Sequence, residues 1–127
     1  MWSAPAYGPC STRRSRGRYL VACRGDEPVG ALMLTYEWSD WRCGDWWWIQ
    51  SVYVAPAARR SGVFSALYRE VRRQAASRAD VCGIRLYVEQ DNRIAQRTYL
   101  ALGMRDASYR VMEEAFAWAE ARVGKNT

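Results

Sequence analysis

Residues 52–64 read VYVAPAARRSGVF, and this stretch decides how the rest of the chain is interpreted. The aromatic and β-branched run WWWIQSVYV at 46–54 predicts a strand, which ends before Pro56 because proline cannot donate to a sheet. After Gly62, apolar residues recur at helical spacing as far as Ala75, which predicts an amphipathic helix. Such a helix start presents free amide groups and positive charge, so the sequence predicts an anion-binding turn at 59–65.

The same pattern also fits an ordinary loop glycine at Gly62 with solvated arginines around it, because short glycine motifs often arise by chance. On spacing alone, both interpretations of this turn stay open.

The chain has 127 residues, which suits one domain, and a net charge of +6. Residues 26–45 carry five carboxylates against one arginine, and residues 58–73 carry five arginines against one carboxylate. This segregation favours neighbouring sites for one cationic and one anionic ligand over a nucleic-acid surface.

The absence of certain residue types excludes several classes of site. The chain has no histidine and four cysteines without CxxC spacing, which excludes imidazole zinc sites, Ser/His/Asp triads and Cys/His dyads. Cys23 and Cys82 are predicted to be packing residues with free thiols. With no signal-peptide pattern and no run long enough for a membrane span, a reducing, cytoplasmic location is expected.

The remaining chain alternates strand and helix patterns around this centre. The predicted order is strand, strand, strand, helix, strand, helix, strand, which gives an α/β fold with a mixed sheet and a right-handed crossover. Asn92 is the expected N-cap of the second helix, and Gly103 its left-handed stop. The predicted segments are a basic arm at 1–18, a core at 19–113, a C-terminal helix or tail at 114–127, strands at 18–23, 29–38, 46–54, 84–89 and 107–113, and helices at 63–75, 93–102 and 114–123.

A second motif supports the anion-binding interpretation. LYVEQDNRIAQRTYLALGM at 86–104 places Asn92, Ala95 and Tyr99 on a helix that follows a strand and closes at Gly103. Together with residues 52–64, this pattern resembles the GCN5-related N-acetyltransferase (GNAT) family, over roughly residues 19–113 in element order. The two motifs and the gap between them are more specific than either motif alone.

The resemblance implies a GNAT-like, mostly antiparallel mixed sheet with helices packed on both faces and a splayed parallel strand pair at the cofactor slot. It implies acetyl-CoA as donor, coenzyme A as product, and a primary amine on a small molecule or peptide as acceptor, attacking directly in a ternary complex. Tyr99 would protonate the departing thiolate. The implied cofactor-binding residues are Val52, Tyr53, Val54, Arg59, Arg60, Ser61, Gly62, Val63, Phe64, Ser65, Asn92 and Tyr99.

Several of these residues also have a purely structural interpretation. Tyr99 fits a core tyrosine and Asn92 a plain helix cap, although capping and ligand contact can use different atoms. Glu37 is the first candidate for the general base, because it ends the second strand next to where the sheet is expected to open, but it also fits a solvated carboxylate at a strand end. Glu89 is the second candidate, and water can also relay the proton. Tryptophans at 38–48 beside acidic residues would suit a cationic amine, although most of them are expected to pack.

Two features depart from the family pattern. Phe64 stands where Gly or Ala is usual, so its ring must point into the core or away from the cofactor. Residues 1–18 are too short and polar to supply the family's usual first strand and helices, and the exposed edge expected at 19–23 suggests a homodimer. The alternatives to an enzyme are an acyl-CoA-binding or regulatory module without turnover, and a basic nucleic-acid-binding domain.

Overall fold

The computed structural model describes residues 2–3 and 16–122, and the described residues form one five-stranded sheet in the order β1-β2-β3-β4-β5. Strands β1 to β4 are antiparallel neighbours, and β5 joins β4 in parallel. The elements are β1 (Trp2–Ser3), β2 (Gly17–Arg24), β3 (Glu27–Ser39), β4 (Gly44–Val54), a 3-10 turn (Pro56–Ala58), α1 (Val63–Ala76), β5 (Val81–Leu86), α2 (Arg93–Ala101) and α3 (Ala117–Arg122).

A parallel pair needs a crossover, and α1 supplies it between β4 and β5. The apolar stripe of α1 packs on one face of the sheet, where Leu67 and Val71 have no exposed surface and Leu34 of β3 is equally buried. Trp47, in the middle of the tryptophan run, points into the same core. The mixed, mostly antiparallel α/β fold expected from the sequence is therefore confirmed.

Strand β4 pairs with β5 over only part of its own length, whereas β5 is paired from its first residue to its last. Their registered pairs run from Asp45 and Val81 to Ile49 and Leu86, while β4 continues to Val54. Residues 50–54 of β4 thus have a free edge within the part of the chain that the structure describes. A bulge opposite Met33 and Leu34 inserts Gln50 into β4 at this point, and bulges bend a strand away from its neighbour. The expected splayed pair is present.

Close packing between β3 and the start of α1 fixes the turn that joins β4 to α1. A Cβ on Gly30 of β3 would lie 2.7 Å from Cγ1 of Val63 and 3.1 Å from the carbonyl oxygen of Tyr53. The amide of Ala55 donates to the carbonyl of Val29 at 2.8 Å. The end of β4 and the first residue of α1 are therefore both held against β3.

The C-terminal part differs from the sequence prediction. Strand β5 ends at Leu86 and not at Glu89, and the strand predicted at 107–113 does not form. Residues 104–116 have no regular structure, so helix α3 (Ala117–Arg122) begins three residues later than the helix predicted at 114–123, whose last residue lies outside the described residues. A strand needs a neighbour for its hydrogen bonds, and no described strand pairs with residues 107–113.

At the N-terminal side, most of the predicted basic arm, residues 4–15, lies outside the described residues. Trp2 and Ser3 form β1 and pair with Ala22 and Val21, so the edge expected to be exposed at 19–23 is covered at those two positions. Cys23 and Cys82 are half-buried free thiols. None of the described helices has the length and apolar character needed to cross a membrane, and the described residues contain no cluster of three or more metal-ligating side chains.

Candidate active site

The turn between β4 and α1 has a strained backbone that presents amide groups. Arg60 and Gly62 both lie in the left-handed region, at φ 62° and 82°. Gly62 is the N-cap of α1, and its carbonyl accepts the first helical hydrogen bond, from Ala66 at 3.0 Å. The amides of residues 63–65 have no acceptor among the described residues. Three N–H donors at the positive end of a helix make an anion-binding surface.

A cavity of about 210 Å³ opens in front of these amides. Val54, the last residue of β4, contributes to it, so the cavity lies at the far end of the segment of β4 that no longer pairs with β5. The lining residues are Val54, Ala58, Arg59, Arg60, Gly62, Val63, Phe64 and Ser65. A second cavity of about 250 Å³ lies behind Gly62, against Cys23 and Arg24 of β2.

Arg59 and Ser61 shape this turn from within. Nε of Arg59 donates to the carbonyl of Val54 at 3.2 Å, and the hydroxyl of Ser61 donates to the carbonyl of Ala58. The other guanidinium N–H groups of Arg59 have no partner among the described residues, and the positive charge of Arg59 lies beside the cavity that it lines. The side chain of Arg60 makes no hydrogen bond or ion pair within the described residues. Both arginines therefore add positive charge where the amides converge.

The free edge of β4 extends the site towards the centre of the sheet. Val52 and Tyr53 are about half exposed, and the edge of β4 beside β5 has no strand partner from Gln50 onward in the described chain. Free strand edges pair with extended amide-containing ligands by the same hydrogen bonds that join strands. A ligand with both amide groups and an anionic end would fit this edge and the helix start together.

Phe64 does not plug the helix start. Its ring packs against the core and makes an edge-on contact with Tyr99, with ring centres 5.5 Å apart, and a second contact with Tyr68. The ring packs against the core, which is one of the two orientations expected from the sequence, and the amide of Phe64 is left without an acceptor in the described structure. The bulky residue that departs from the family pattern thus links α1 to α2.

Tyr99 of α2 is half-buried beside Phe64. Burial raises the pKa of its phenol above the ordinary value of 10.0, because the charged form would lose solvation. Its hydroxyl has no hydrogen-bond partner among the described residues. The phenol therefore stays protonated at neutral pH and can donate a proton to a ligand atom.

Asn92 is the N-cap that the sequence predicts. Its side-chain oxygen accepts from the amide of Ala95 at 3.1 Å, which leaves the side-chain NH₂ group for another partner. The sequence did not predict the role of Gln96, which donates to the carbonyls of Glu89 and Gln90, both at 2.9 Å. Gln96 thereby ties the segment after β5 to α2; nothing in the motif marks it.

Glu37 belongs to a network on the face of the sheet opposite α1. Its Oε1 accepts from Nε1 of Trp48 at 2.8 Å and from the guanidinium of Arg85 at 3.1 Å. Glu37 lies opposite Trp46, in the paired part of the sheet. The strands separate after Ile49, three residues and about 10 Å further along β4. The expectation that Glu37 lies next to the opening is wrong in this detail, because β3 runs antiparallel and ends where β4 begins.

The chain's own arginines occupy two of the tryptophan faces. Arg85 lies 3.8 Å from the ring centre of Trp46, with Arg42 at 5.1 Å, and Arg18 lies 5.0 Å from that of Trp47. Trp48 contacts Tyr87, with ring centres 4.5 Å apart. The cation-π positions that were expected to attract an amine are therefore filled at these two indoles.

Several solved structures share the fold of this chain. A solved structure described as a possible acetyltransferase from Clostridium difficile 630 is 39% identical in sequence, with a TM-score of 0.77. The match covers 82% of this chain and 68% of that protein's chain. A transcriptional regulator from Bacillus halodurans C-125 is 28% identical, covers 80% of this chain and 67% of its own, and has a TM-score of 0.68.

A third similar structure, the aminoglycoside N-acetyltransferase AAC(6')-Iy in complex with CoA, is 16% identical, covers 80% of this chain and 77% of its own, and has a TM-score of 0.65, so it shows the fold alone. A search of curated proteins found no match. The model of the acetyltransferase (GNAT) family matches residues 2–104, which include the turn, the free strand edge and Tyr99. The chain therefore belongs to the GNAT acetyltransferase family.

Proposed function

We propose that this chain transfers an acetyl group from acetyl-CoA to a primary amine of a small molecule or peptide. One observation carries the proposal: the acceptor-free amides of residues 63–65 and the free edge of β4 meet at one cavity, at Val54. Coenzyme A combines a pyrophosphate with a chain of amide groups, so its two halves match these two surfaces.

The residues divide into two binding roles and one chemical role. The amides of residues 63–65, with Arg59 and Arg60, hold the pyrophosphate, and Gly62 lets the main chain approach it. The edge of β4 at residues 52–54 pairs with the pantetheine amides, and the free NH₂ group of Asn92 contacts the same arm. Tyr99 would lie near the sulfur and supply a proton to it.

The reaction needs one bond formed and one broken. The amine nitrogen bonds to the thioester carbonyl carbon, the bond from carbon to sulfur breaks, and Tyr99 gives its proton to the departing sulfur. The amine loses a proton to a carboxylate or to water. A positioned proton donor of this kind contributes about 10² to 10⁴ in rate, and the raised pKa keeps Tyr99 in the donating form.

Glu37 and Glu89 are the carboxylate candidates for the proton acceptor. Glu37 is bound by Arg85 and Trp48, whereas Glu89 lies just beyond β5, on the side where the strands separate. The variants Glu37→Gln and Glu89→Gln distinguish them. If one of these residues is the base, its variant should lose the fall of kcat/KM at low pH while its affinity for CoA stays unchanged. If the pH profiles of both variants match wild type, water accepts the proton.

The proposal is tested by cofactor binding and by turnover. Melting in the presence of acetyl-CoA, CoA and dephospho-CoA should show stabilisation by all three, because they share the pyrophosphate and pantetheine groups. Thiol release from acetyl-CoA across a panel of small amines and peptides should depend on the amine. If no cofactor shifts the melting temperature, the proposal is wrong.

An acyl-CoA-binding module without turnover is the second candidate. It is favoured by the similarity to a protein described as a transcriptional regulator, at 28% identity. Such a module would show cofactor affinity without thiol release from any amine in the panel. A basic nucleic-acid-binding domain would instead bind DNA or RNA in a steeply salt-dependent way and ignore CoA.

A further inference from the structure

The face of the sheet opposite α1 carries two stacked aromatic rings at the point where β4 and β5 separate. Trp48 of β4 and Tyr87, which directly follows β5, have ring centres 4.5 Å apart, and their planes are tilted by 35°. Ile49 and Leu86 form the last registered pair of the two strands, and the free edge of β4 begins at Gln50. The Trp48–Tyr87 pair therefore lies beside the start of the free edge.

One side of this pair is fixed and the other is open. Nε1 of Trp48 donates to Oε1 of Glu37 at 2.8 Å, and the guanidinium of Arg85 donates to the same oxygen at 3.1 Å, so the indole is held in one orientation. Tyr87 is 63% exposed. Its ring contacts no second aromatic ring, and its hydroxyl has no hydrogen-bond partner, within the residues that the structure describes. Tyr87 thus presents free aromatic surface on a rigid support.

The charges beside Tyr87 favour a neutral ring over a cation as the group that covers it. Arg85 lies two residues before Tyr87 on the same side of the chain, and both Arg85 and Arg42 lie over the ring of Trp46. A second cation on Tyr87 would meet this positive charge. An aromatic ring in offset stacking carries no such cost.

The helices leave only the opposite face of the sheet open to an acceptor. Phe64 of α1 contacts Tyr99 of α2, and a guanidinium nitrogen of Arg72 lies 3.4 Å from the carbonyl oxygen of Leu102, so α1 and α2 pack together on one face. Tyr99 reaches the opening from that face. An acceptor must therefore approach from the face that carries the Trp48–Tyr87 pair.

The distance from the pair to the free edge of β4 is short. Gln50 is exposed and donates to the hydroxyl of Thr35 at 2.9 Å, which places it on the same face as Trp48. Two residues of strand span at most about 7 Å. A ring stacked on Tyr87 would thus bring a group on a short alkyl chain to the start of the free edge.

We propose that the acceptor is an arylalkylamine, a primary amine on a short alkyl chain that ends in an aromatic ring, and that this ring stacks on Tyr87. The inference rests on the proposed function and names its substrate class. Tyr87 contacts the acceptor, and Trp48 is a positioning residue beneath it. The amine nitrogen bonds to the thioester carbonyl carbon and loses one proton, and the departing sulfur gains one, which gives the N-acetyl amine and CoA.

The test compares 2-phenylethylamine with 2-cyclohexylethylamine, which has the same chain and ring size but no aromatic face. At saturating acetyl-CoA, kcat/KM for the phenyl compound should be about three- to tenfold higher, the contribution of one aromatic pair beyond its buried area. Tyr87→Leu should remove this preference by raising the KM of the phenyl compound, with kcat and CoA affinity unchanged. Tyr87→Phe, which keeps the ring, should retain it.

Tyr109→Leu is the matched control, because Tyr109 is an equally open tyrosine, 77% exposed, in the segment after α2. It should keep the wild-type preference. Tyr87 is exposed and lies outside regular structure, so an unchanged melting temperature should confirm that its variants fold. Equal kcat/KM for the two amines in wild type, or a preference that survives in Tyr87→Leu, overturns the inference while thiol release still supports acetyl transfer.

Failure of the proposed function is recognised separately, because then no amine releases thiol from acetyl-CoA. Binding of 2-phenylethylamine is in that case followed by the NMR signal of the Trp48 indole N–H, assigned with Trp48→Phe. A saturable shift that is absent in Tyr87→Leu supports the aromatic site without turnover. If this signal does not move in wild type, the inference falls together with the function.

Discussion

Gly62→Ala separates backbone strain from ligand contact at the turn before α1. A Cβ at Gly62 would have no protein atom within 4 Å, but its φ of 82° lies in the left-handed region. Alanine in that region costs about 1 kcal/mol, which lowers the melting temperature of a chain of this length by about 3–5 °C. Since the new methyl group would project into open space beside the cavity, CoA should bind at least tenfold more weakly, a loss of about 1.4 kcal/mol.

Gly25→Ala is the matched control. Gly25 lies in the turn between β2 and β3 at φ 64°, and its added Cβ also meets nothing within 4 Å. Both variants should therefore lose similar stability in denaturant unfolding, while only Gly62→Ala loses CoA affinity in calorimetric titration. If Gly62→Ala binds CoA like wild type, or if Gly25→Ala weakens binding equally, the amide turn is not the pyrophosphate site.

Three further changes test the donor, the packing and the charge pairing. Tyr99→Phe should lower kcat about 100-fold with CoA affinity unchanged, and Tyr109→Phe in the exposed segment after α2 should leave kcat unaltered. Gly30→Ala should destabilise the fold by about 2 kcal/mol in urea unfolding, because its Cβ would overlap Val63. Hydrogen bonds from Arg73 and Gln74 lower the pKa of Glu70 from 4.5 to about 2. The ionised Glu70 should therefore stabilise the fold above pH 4.5, and the free energy of unfolding should fall as the pH drops towards 2. The loss should be at most about 1 kcal/mol because Arg73 is exposed. The melting temperature of Glu70→Gln should not show this loss.

The sequence predicted the elements whose signals are local. The stop at Pro56, the cap at Asn92 and the helical stripe from Val63 each depend on a few neighbouring residues, and each was observed. The opening between β4 and β5 was expected from the family resemblance. Its position after Ile49 depends on a bulge that no periodicity in the sequence shows.

The predictions that the structure contradicts concern relations between distant residues. The strand predicted at 107–113 has the right side-chain alternation, but alternation does not supply a neighbouring strand. Glu37 was expected next to the opening between β4 and β5, but β3 runs antiparallel to β4, so the end of β3 lies beside the paired first half of β4. The ion pair between Glu37 and Arg85 joins residues 48 positions apart, and no local pattern could reveal it.

The candidate cofactor site is mostly backbone, and backbone geometry is set by packing elsewhere. Gly30 lets Val63 approach β3, which fixes where α1 begins and so where its free amides point. The carbonyl of Val54 holds Arg59 while the edge of the same strand stays open for pairing. The variant Gly30→Ala, whose Cβ would push Val63 away from β3, should therefore weaken CoA binding, although Gly30 lines neither of the two cavities. If Gly30→Ala destabilises the fold but leaves CoA affinity at the wild-type value, the amides are positioned by the turn itself and not by its contact with the sheet.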